Sequence, residues 1–238
     1  MTISDPSLPA LDDPLASRIL REWQSQEGDL WVFGYGSLIW RPDLPYSESR
    51  RATVHGWHRA LRMWSHVNRG TAQCPGLVFA LLPGGSCRGL AFRVPAARVP
   101  DVFPQLWQRE MPMPIYTPRW LNVNTTGGVV RALAFTLSHS HPACTGVLSD
   151  ADYQRIFRTA HGIYGSTRDY AETTLAELHR LGIRDRALER IVKVARTAQS
   201  QHERLHALPI ERRSAQVLQR LRTQRRRLRP RLFEPVRS

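Results

Sequence analysis

The chain has 238 residues, 42% of them hydrophobic, enough for one domain with a sizeable core plus extensions. No apolar run approaches the roughly 18 residues of a membrane span, and the polar, acidic segment Met1–Asp13 lacks the basic and apolar regions of a secretory signal. A net charge of +14 would suit a nucleic-acid or anionic-surface partner, but its placement argues otherwise. The basic residues concentrate in Arg212-Arg213, Arg220, Arg222, Arg225-Arg226-Arg227, Arg229 and Arg231, which read as a solvated helix and tail without interleaved aromatics. Neither a nucleic-acid nor a membrane partner is expected. The three cysteines, Cys74, Cys87 and Cys144, are odd in number and form no C-x-x-C pair, which excludes a disulfide framework and a cysteine zinc site. They place the chain in a reducing compartment, the cytoplasm.

Asp13-Pro14 opens a short helix with Leu15, Ile19, Leu20 and Trp23 at helical spacing, ended by Gly28. Strands are predicted over Leu30–Phe33, Arg51–Val54, Ala60–Trp64, Leu77–Leu82 and Gly89–Val94, with breaks at Pro42, Gly70, Pro75-Gly76 and Pro83-Gly84-Gly85. A helix runs from Pro95-Ala96 to about Arg109, shortened or started late by Pro100 and Pro104. Strands Trp120–Thr125 and Val129–Thr136 follow, joined by a Gly127-Gly128 turn. Three helices come next: Ala151–Ala160 capped by Ser149, a second from Ser166 or Thr167 to Leu181, ended by Gly182, and a third over about Asp185–Gln199. This order reads as α+β, in one domain with a helical C-terminal extension.

The segment from Trp31 to Pro42 carries most of the functional information. An apolar run, Leu30 to Phe33, breaks into Gly34-Tyr35-Gly36-Ser37. Two glycines there permit positive φ and a close backbone approach to a ligand. Successive N–H groups with the Ser37 hydroxyl form a small concavity for a carboxylate or oxyanion. The GxxxxGK[ST] spacing of a phosphate loop is absent. From G-x-G alone, an ordinary tight turn is the simpler reading.

The whole run Phe33-Gly34-Tyr35-Gly36-Ser37-Leu38-Ile39-Trp40-Arg41-Pro42 resembles the opening signature of the γ-glutamylcyclotransferase family, in its ChaC-like, glutathione-specific branch. Further segments match in order: Arg69-Gly70-Thr71 with Pro75-Gly76, Cys87 to Val94, Trp107-Gln108-Arg109-Glu110-Met111 with Tyr116, and Gly165 to Tyr170. The family's glycine-rich run after its glutamate is replaced by Met111-Pro112-Met113-Pro114-Ile115. The resemblance implies an α+β fold, a small mixed β-barrel with flanking helices and a helical C-terminal extension. It divides the chain into an N-terminal segment and short helix (1–28), a catalytic domain (29–200) and a basic extension (201–238). It implies cleavage of glutathione to 5-oxoproline and Cys-Gly by attack of the substrate's own α-amine on its γ-carbonyl, with no metal and no cofactor.

Such a reaction needs a proton acceptor, a mould that folds the substrate, and donors for the developing oxyanion. Glu110 is the candidate base: it ends a predicted helix after apolar Leu106 and Trp107, where partial desolvation would raise its pKa. From residue physics alone a surface carboxylate paired with Arg109 is the simpler reading; the resemblance reverses it. By the same resemblance Gly34, Tyr35, Gly36, Ser37 and Leu38 bind the glutamyl group, with Tyr116 also in the site. Tyr170 reads as a phenol donor to substrate or as a buried aromatic on its helix. Arg69 and Arg119 are candidates for the glycine carboxylate. His55, His58, His139 and His141 read as surface or turn residues, because neither cluster has the H-E-x-x-H spacing. The alternatives are a non-catalytic γ-glutamyl-binding regulator of a transport system and a basic nucleic-acid-binding protein. Retention of Glu110 favours the enzyme.

Overall fold

The structure, a computed structural model, describes residues 13–206, with side chains through 196. It divides into two compact units, Met1–Ala195 and Arg196–Ser238, and the site described below belongs to the first. Of the predicted basic extension (201–238), only the backbone through His206 is described, and the rest lies outside the described residues.

Helix α1 (Pro14–Gln24) is capped by Asp13, whose carboxylate accepts from Leu15 N at 2.8 Å and Ala16 N at 3.3 Å. Its other oxygen accepts from Trp107 Nε1 at 2.8 Å, tying the helix start to a later element. Strand β1 (Leu30–Gly34) follows, then β2 (Glu48–Ser65) and β3 (Gly76–Val94). The four separate strands expected between residues 51 and 94 are these two long ones. They pair antiparallel from Glu48↔Arg93 to Ser65↔Gly76. Gly56 (φ +80°) forms an irregularity between His55 and Trp57, and Pro83 faces Trp57 at an exposed stretch of β3. The two interruptions face one another, so the hairpin bends there instead of ending.

Helix α2 (Val99–Glu110) begins late, after a 3-10 turn over Ala96–Arg98, as Pro100 in its first turn requires. Pro104 lies inside the helix without breaking it. The loss of a backbone hydrogen bond, about 3 kcal/mol, is offset by burial of Val102, Phe103, Leu106 and Trp107 along one face. Strands β4 (Thr117–Thr125) and β5 (Gly128–Thr136) form the predicted hairpin. The order β1-β3-β2-β4-β5 closes into a barrel through parallel β1–β5 pairing at Trp31↔Ala132 and Val32↔Leu133. Phe33, Phe92 and Phe135 pack in the core with Phe103 of α2.

Helix α3 (Asp150–Thr159) and helix α4 (Thr167–Arg180) start on capping boxes, Ser149 with Asp152 and Ser166 with Asp169. Between them lies a small hairpin, β6 (His161–Gly162) and β7 (Gly165–Ser166), too short to leave a periodic signal in the sequence. Helix α4 turns Thr167, Tyr170, Ala171, Thr174 and Leu178 toward the barrel, and Trp40 Nε1 donates to Thr174 Oγ1 at 3.1 Å. Helix α5 (Arg186–His206) completes the described chain. No helix among the described residues is long and apolar enough to cross a membrane. All three cysteines are free.

Candidate active site

β1 delivers the chain to the barrel rim, where Gly34-Tyr35-Gly36 turns into a short 3-10 segment, Ser37–Ile39. Neither glycine adopts positive φ, contrary to the sequence expectation. Space is what excludes a side chain at both. A Cβ on Gly34 would lie 2.9 Å from Phe92 Cε2, and one on Gly36 would lie 2.9 Å from the Tyr170 hydroxyl. No backbone carbonyl among the described residues accepts from the N–H of Gly36 or Leu38.

This turn borders a cavity of about 1080 Å³, at the upper end of the roughly 300–1,000 Å³ common for ligand sites. Of the sequence-predicted residues, Ser37, Arg69, Glu110, Tyr116 and Tyr170 line it. Gly34, Tyr35, Gly36 and Leu38 do not present side chains to it. Leu38 is in the core, and the Tyr35 hydroxyl donates to the Phe135 carbonyl at 2.7 Å. Arg119 is elsewhere: it is exposed and stacks over Trp57, 5.8 Å from the ring centroid.

Glu110 stands at the last turn of α2, with its carboxylate facing the cavity and only 16% of its side chain exposed. The pairing with Arg109 is present, with Arg109 Nε 3.1 Å from Glu110 Oε1, but the carboxylate is buried and not at the surface. Burial pushes the carboxyl pKa up, and Arg109 and Arg41 pull against that shift. The guanidinium of Arg109 also binds the Pro42 carbonyl at 2.8 Å and Asp43 at 3.1 Å, and reaches Ser37 Oγ at 3.4 Å. It thereby links the glutamate to the turn.

Arg69 sits in the loop between β2 and β3. Thr167 Oγ1 donates to its carbonyl at 3.2 Å and accepts from Leu77 N at 2.8 Å, which stitches that loop to the start of α4. Its guanidinium donates to the Tyr164 carbonyl and stacks 4.8 Å from the Tyr170 ring centroid. Tyr170 is a buried aromatic on its helix, and it also forms part of the cavity wall. Burial raises its pKa to about 12, with backbone contacts from Phe79 and Ser37 pulling the other way. Burial also holds the Tyr35 and Tyr116 phenols well above their usual range, so all three remain neutral near pH 7. The Tyr116 hydroxyl donates to the Phe79 carbonyl at 3.2 Å.

Sequence reasoning missed Arg41, Asp43, Tyr164 and His141 as cavity residues. Arg41 was visible within the signature, but nothing in its spacing marks a role. It lies over Tyr164, 5.4 Å from the ring centroid, and pairs with Asp43 at 2.9 Å. The reading of His141 as a turn residue omitted its place in the cavity wall, where its Nδ1 accepts from Ala143 N at 3.0 Å. Among the described residues no group of His, Cys, Asp or Glu is placed to hold a metal ion.

A barrel closed by parallel β1–β5 pairing, a glycine turn at its rim and a buried glutamate facing that turn together define a family. The sequence model of the ChaC-like protein family matches residues 30–198, and the chain belongs to that family. It is 36% identical over 163 residues to the glutathione-specific γ-glutamylcyclotransferase of Escherichia coli, covering 68% of this chain and 71% of that one. With human glutathione-specific γ-glutamylcyclotransferase 1 it shares 29% identity over 157 residues, or 63% and 71% of the two chains. The fold matches the crystal structure of a yeast γ-glutamyl cyclotransferase specific to glutathione with a TM-score of 0.66 at 21% identity, covering 72% of this chain and 97% of that one.

Proposed function

We propose that this protein is a glutathione-specific γ-glutamylcyclotransferase, a lyase that releases 5-oxoproline and Cys-Gly. The observation that carries the reading is the Glu110 carboxylate, buried yet open to the cavity beside the Gly36-Ser37 turn. A carboxylate with a raised pKa is a better proton acceptor than a solvated one.

Glutathione enters with its γ-glutamyl end at the turn. Glu110 takes a proton from the α-ammonium, whose lone pair then attacks the γ-carbonyl carbon. The carbonyl oxygen gains negative charge and is met by N–H groups of the turn. The new C–N bond closes the five-membered ring as the bond to the cysteine nitrogen breaks; Glu110 passes on the first proton, and a second lost by the ring nitrogen, to that leaving nitrogen, which departs as the ammonium of Cys-Gly. No water is consumed and no electrons leave the system. Much of the rate comes from holding a flexible chain folded on itself. Neutral Tyr170 and Tyr116 shape that fold and offer a phenol at its edge.

The charges of the cavity suit the substrate. Arg41, Arg69 and Arg109 face Asp43 and Glu110, leaving one positive charge in excess. Glutathione, with two carboxylates and one ammonium, carries one negative charge. Arg109 is engaged by Glu110, Asp43 and Ser37, and Arg69 is fixed on Tyr164 and Tyr170. Arg41, half-exposed at the mouth, is the guanidinium best able to receive the glycine carboxylate.

The direct test is incubation of the purified protein with glutathione, measuring 5-oxoproline and Cys-Gly. Absence of both products from folded protein would reject the reading.

A further inference from the structure

Arg59, on β2, is buried, with 3% of its side chain exposed, yet belongs to no motif and does not line the cavity. All three of its nitrogens are engaged. Nε donates to the Tyr35 carbonyl at 2.5 Å, Nη2 to the Arg88 carbonyl at 2.5 Å, and Nη1 to Asp185 Oδ2 at 2.5 Å. Asp185 is itself held, since its Oδ1 accepts from Leu188 N at 3.0 Å and its carbonyl from Glu189 N at 2.9 Å at the start of α5. One guanidinium therefore joins the glycine turn, strand β3 and helix α5.

The consequence lies in the peptide between Tyr35 and Gly36. It is trans, so its C=O and N–H point in opposite directions. With the carbonyl fixed on Arg59, the Gly36 N–H is aimed away from Arg59 and finds no backbone acceptor. Gly36 itself adjoins Tyr170, a cavity wall: a Cβ there would lie 2.9 Å from the Tyr170 hydroxyl. Gly36 has no Cβ, and a peptide flanked by glycine rotates at little steric cost. Something must fix its orientation. We infer that Arg59, anchored by Asp185, is a positioning residue that sets the Tyr35–Gly36 peptide so that the Gly36 N–H faces the γ-glutamyl group of the substrate.

This inference rests on the cyclotransferase reading above and adds to it a residue outside the cavity. A lysine at position 59 keeps the charge beside Asp185 but, as a point charge, cannot bridge the three partners at once. Arg59→Lys thus frees the peptide without leaving Asp185 unpaired.

The test has two arms. In the first, the amide proton of Gly36 is followed by NMR in wild-type protein as 5-oxoproline is added. A downfield shift that saturates with ligand is expected, and a Gly36 amide indifferent to 5-oxoproline overturns the inference without any variant. In the second, Arg59→Lys is compared at matched circular dichroism and Tm. The Gly36 shift should be largely lost. kcat/KM should fall by about 10–100-fold, equally for glutathione and γ-glutamylalanine, because both carry the group that the amide meets. A folded variant with wild-type activity, or one impaired on glutathione alone, overturns it. If Arg59→Lys fails to fold, the first arm decides. Failure of wild-type turnover would reject the cyclotransferase reading, whereas the Gly36 response to 5-oxoproline is read independently of turnover.

Discussion

Arg109 Nε lies 3.1 Å from Glu110 Oε1, so the proposed base carries its own counter-charge from the adjacent residue of the same helix end. Two forces set its pKa, burial upward and the guanidinium downward, and burial wins. Arg109→Met removes the larger of the opposing contributions and leaves that of Arg41. The Glu110 pKa should then rise further, and the acid limb of the kcat/KM profile should move to higher pH. The limb reports the free enzyme's essential base, so a full pH profile of both proteins is the measurement. A limb that stays in place in active Arg109→Met protein would separate Glu110 from the titration that limits activity.

Glu110→Gln should abolish most turnover, by about 10²–10⁴-fold, because the nearly isosteric amide cannot accept the proton. The same substitution should stabilise the fold at neutral pH. With its pKa raised by folding, Glu110 binds its proton more tightly in the native state than in the unfolded one. Below the ordinary carboxylate range both states are protonated and the residue makes no difference. As pH rises through that range to the raised value, stability is lost, and the full penalty persists above it. Thermal unfolding of both proteins across pH should show Tm curves that meet in acid and separate toward neutrality, with the variant higher. Wild-type activity in a folded Glu110→Gln protein would remove the residue from the mechanism.

Gly36→Ala should weaken binding of 5-oxoproline, since its Cβ would lie 2.9 Å from the Tyr170 hydroxyl and one of the two must move. Overpacking of this kind typically costs about 1–3 kcal/mol. Tyr170→Phe deletes the oxygen in conflict. The double variant should therefore bind better than additivity of the two single changes allows, a coupling that calorimetric titration resolves. Unchanged affinity in Gly36→Ala would mean that the turn tolerates a methyl group and does not touch the ligand.

The sequence carried the fold where local signals are strong. Ser149, and Ser166 or Thr167, announced their helices as N-cap residues, and Leu30 to Phe33 announced the first strand as an apolar run. It failed where two local signals cancel across space. The gap left between Val54 and Ala60, which holds Gly56, and the Pro83-Gly84-Gly85 run each read as the end of a strand, and only their opposition in the β2–β3 hairpin makes them a bend. Closure through parallel β1–β5 pairing leaves no local trace, because the paired residues are about a hundred positions apart. In the site, Glu110 and the glycine turn were legible by resemblance. Arg59 was not, because a lone arginine inside a strand gives no hint that its partners come from residues 35, 88 and 185.

The remaining prediction concerns substrate choice. Glutathione and γ-glutamylalanine share the γ-glutamyl group but differ in how far their terminal carboxylate lies from it. Arg119 cannot make that distinction, since it stacks on Trp57 away from the cavity. Arg41 can: it lies at the cavity mouth over Tyr164 and shares Asp43 with Arg109, so its guanidinium has donors to offer a second anion. Glutathione should be cleaved much faster than γ-glutamylalanine by the wild-type protein. Arg41→Gln should narrow that gap by lowering kcat/KM for glutathione alone. A charge-assisted hydrogen bond worth about 1.5–3 kcal/mol corresponds to a loss of about 10–150-fold. This selective loss differs from the equal loss expected of Arg59→Lys, so kcat/KM for the two substrates in the two variants separates a distal carboxylate receptor from a positioner of the glutamyl site. Equal impairment of both substrates in Arg41→Gln would move the carboxylate receptor elsewhere, with Arg69 next to be tested.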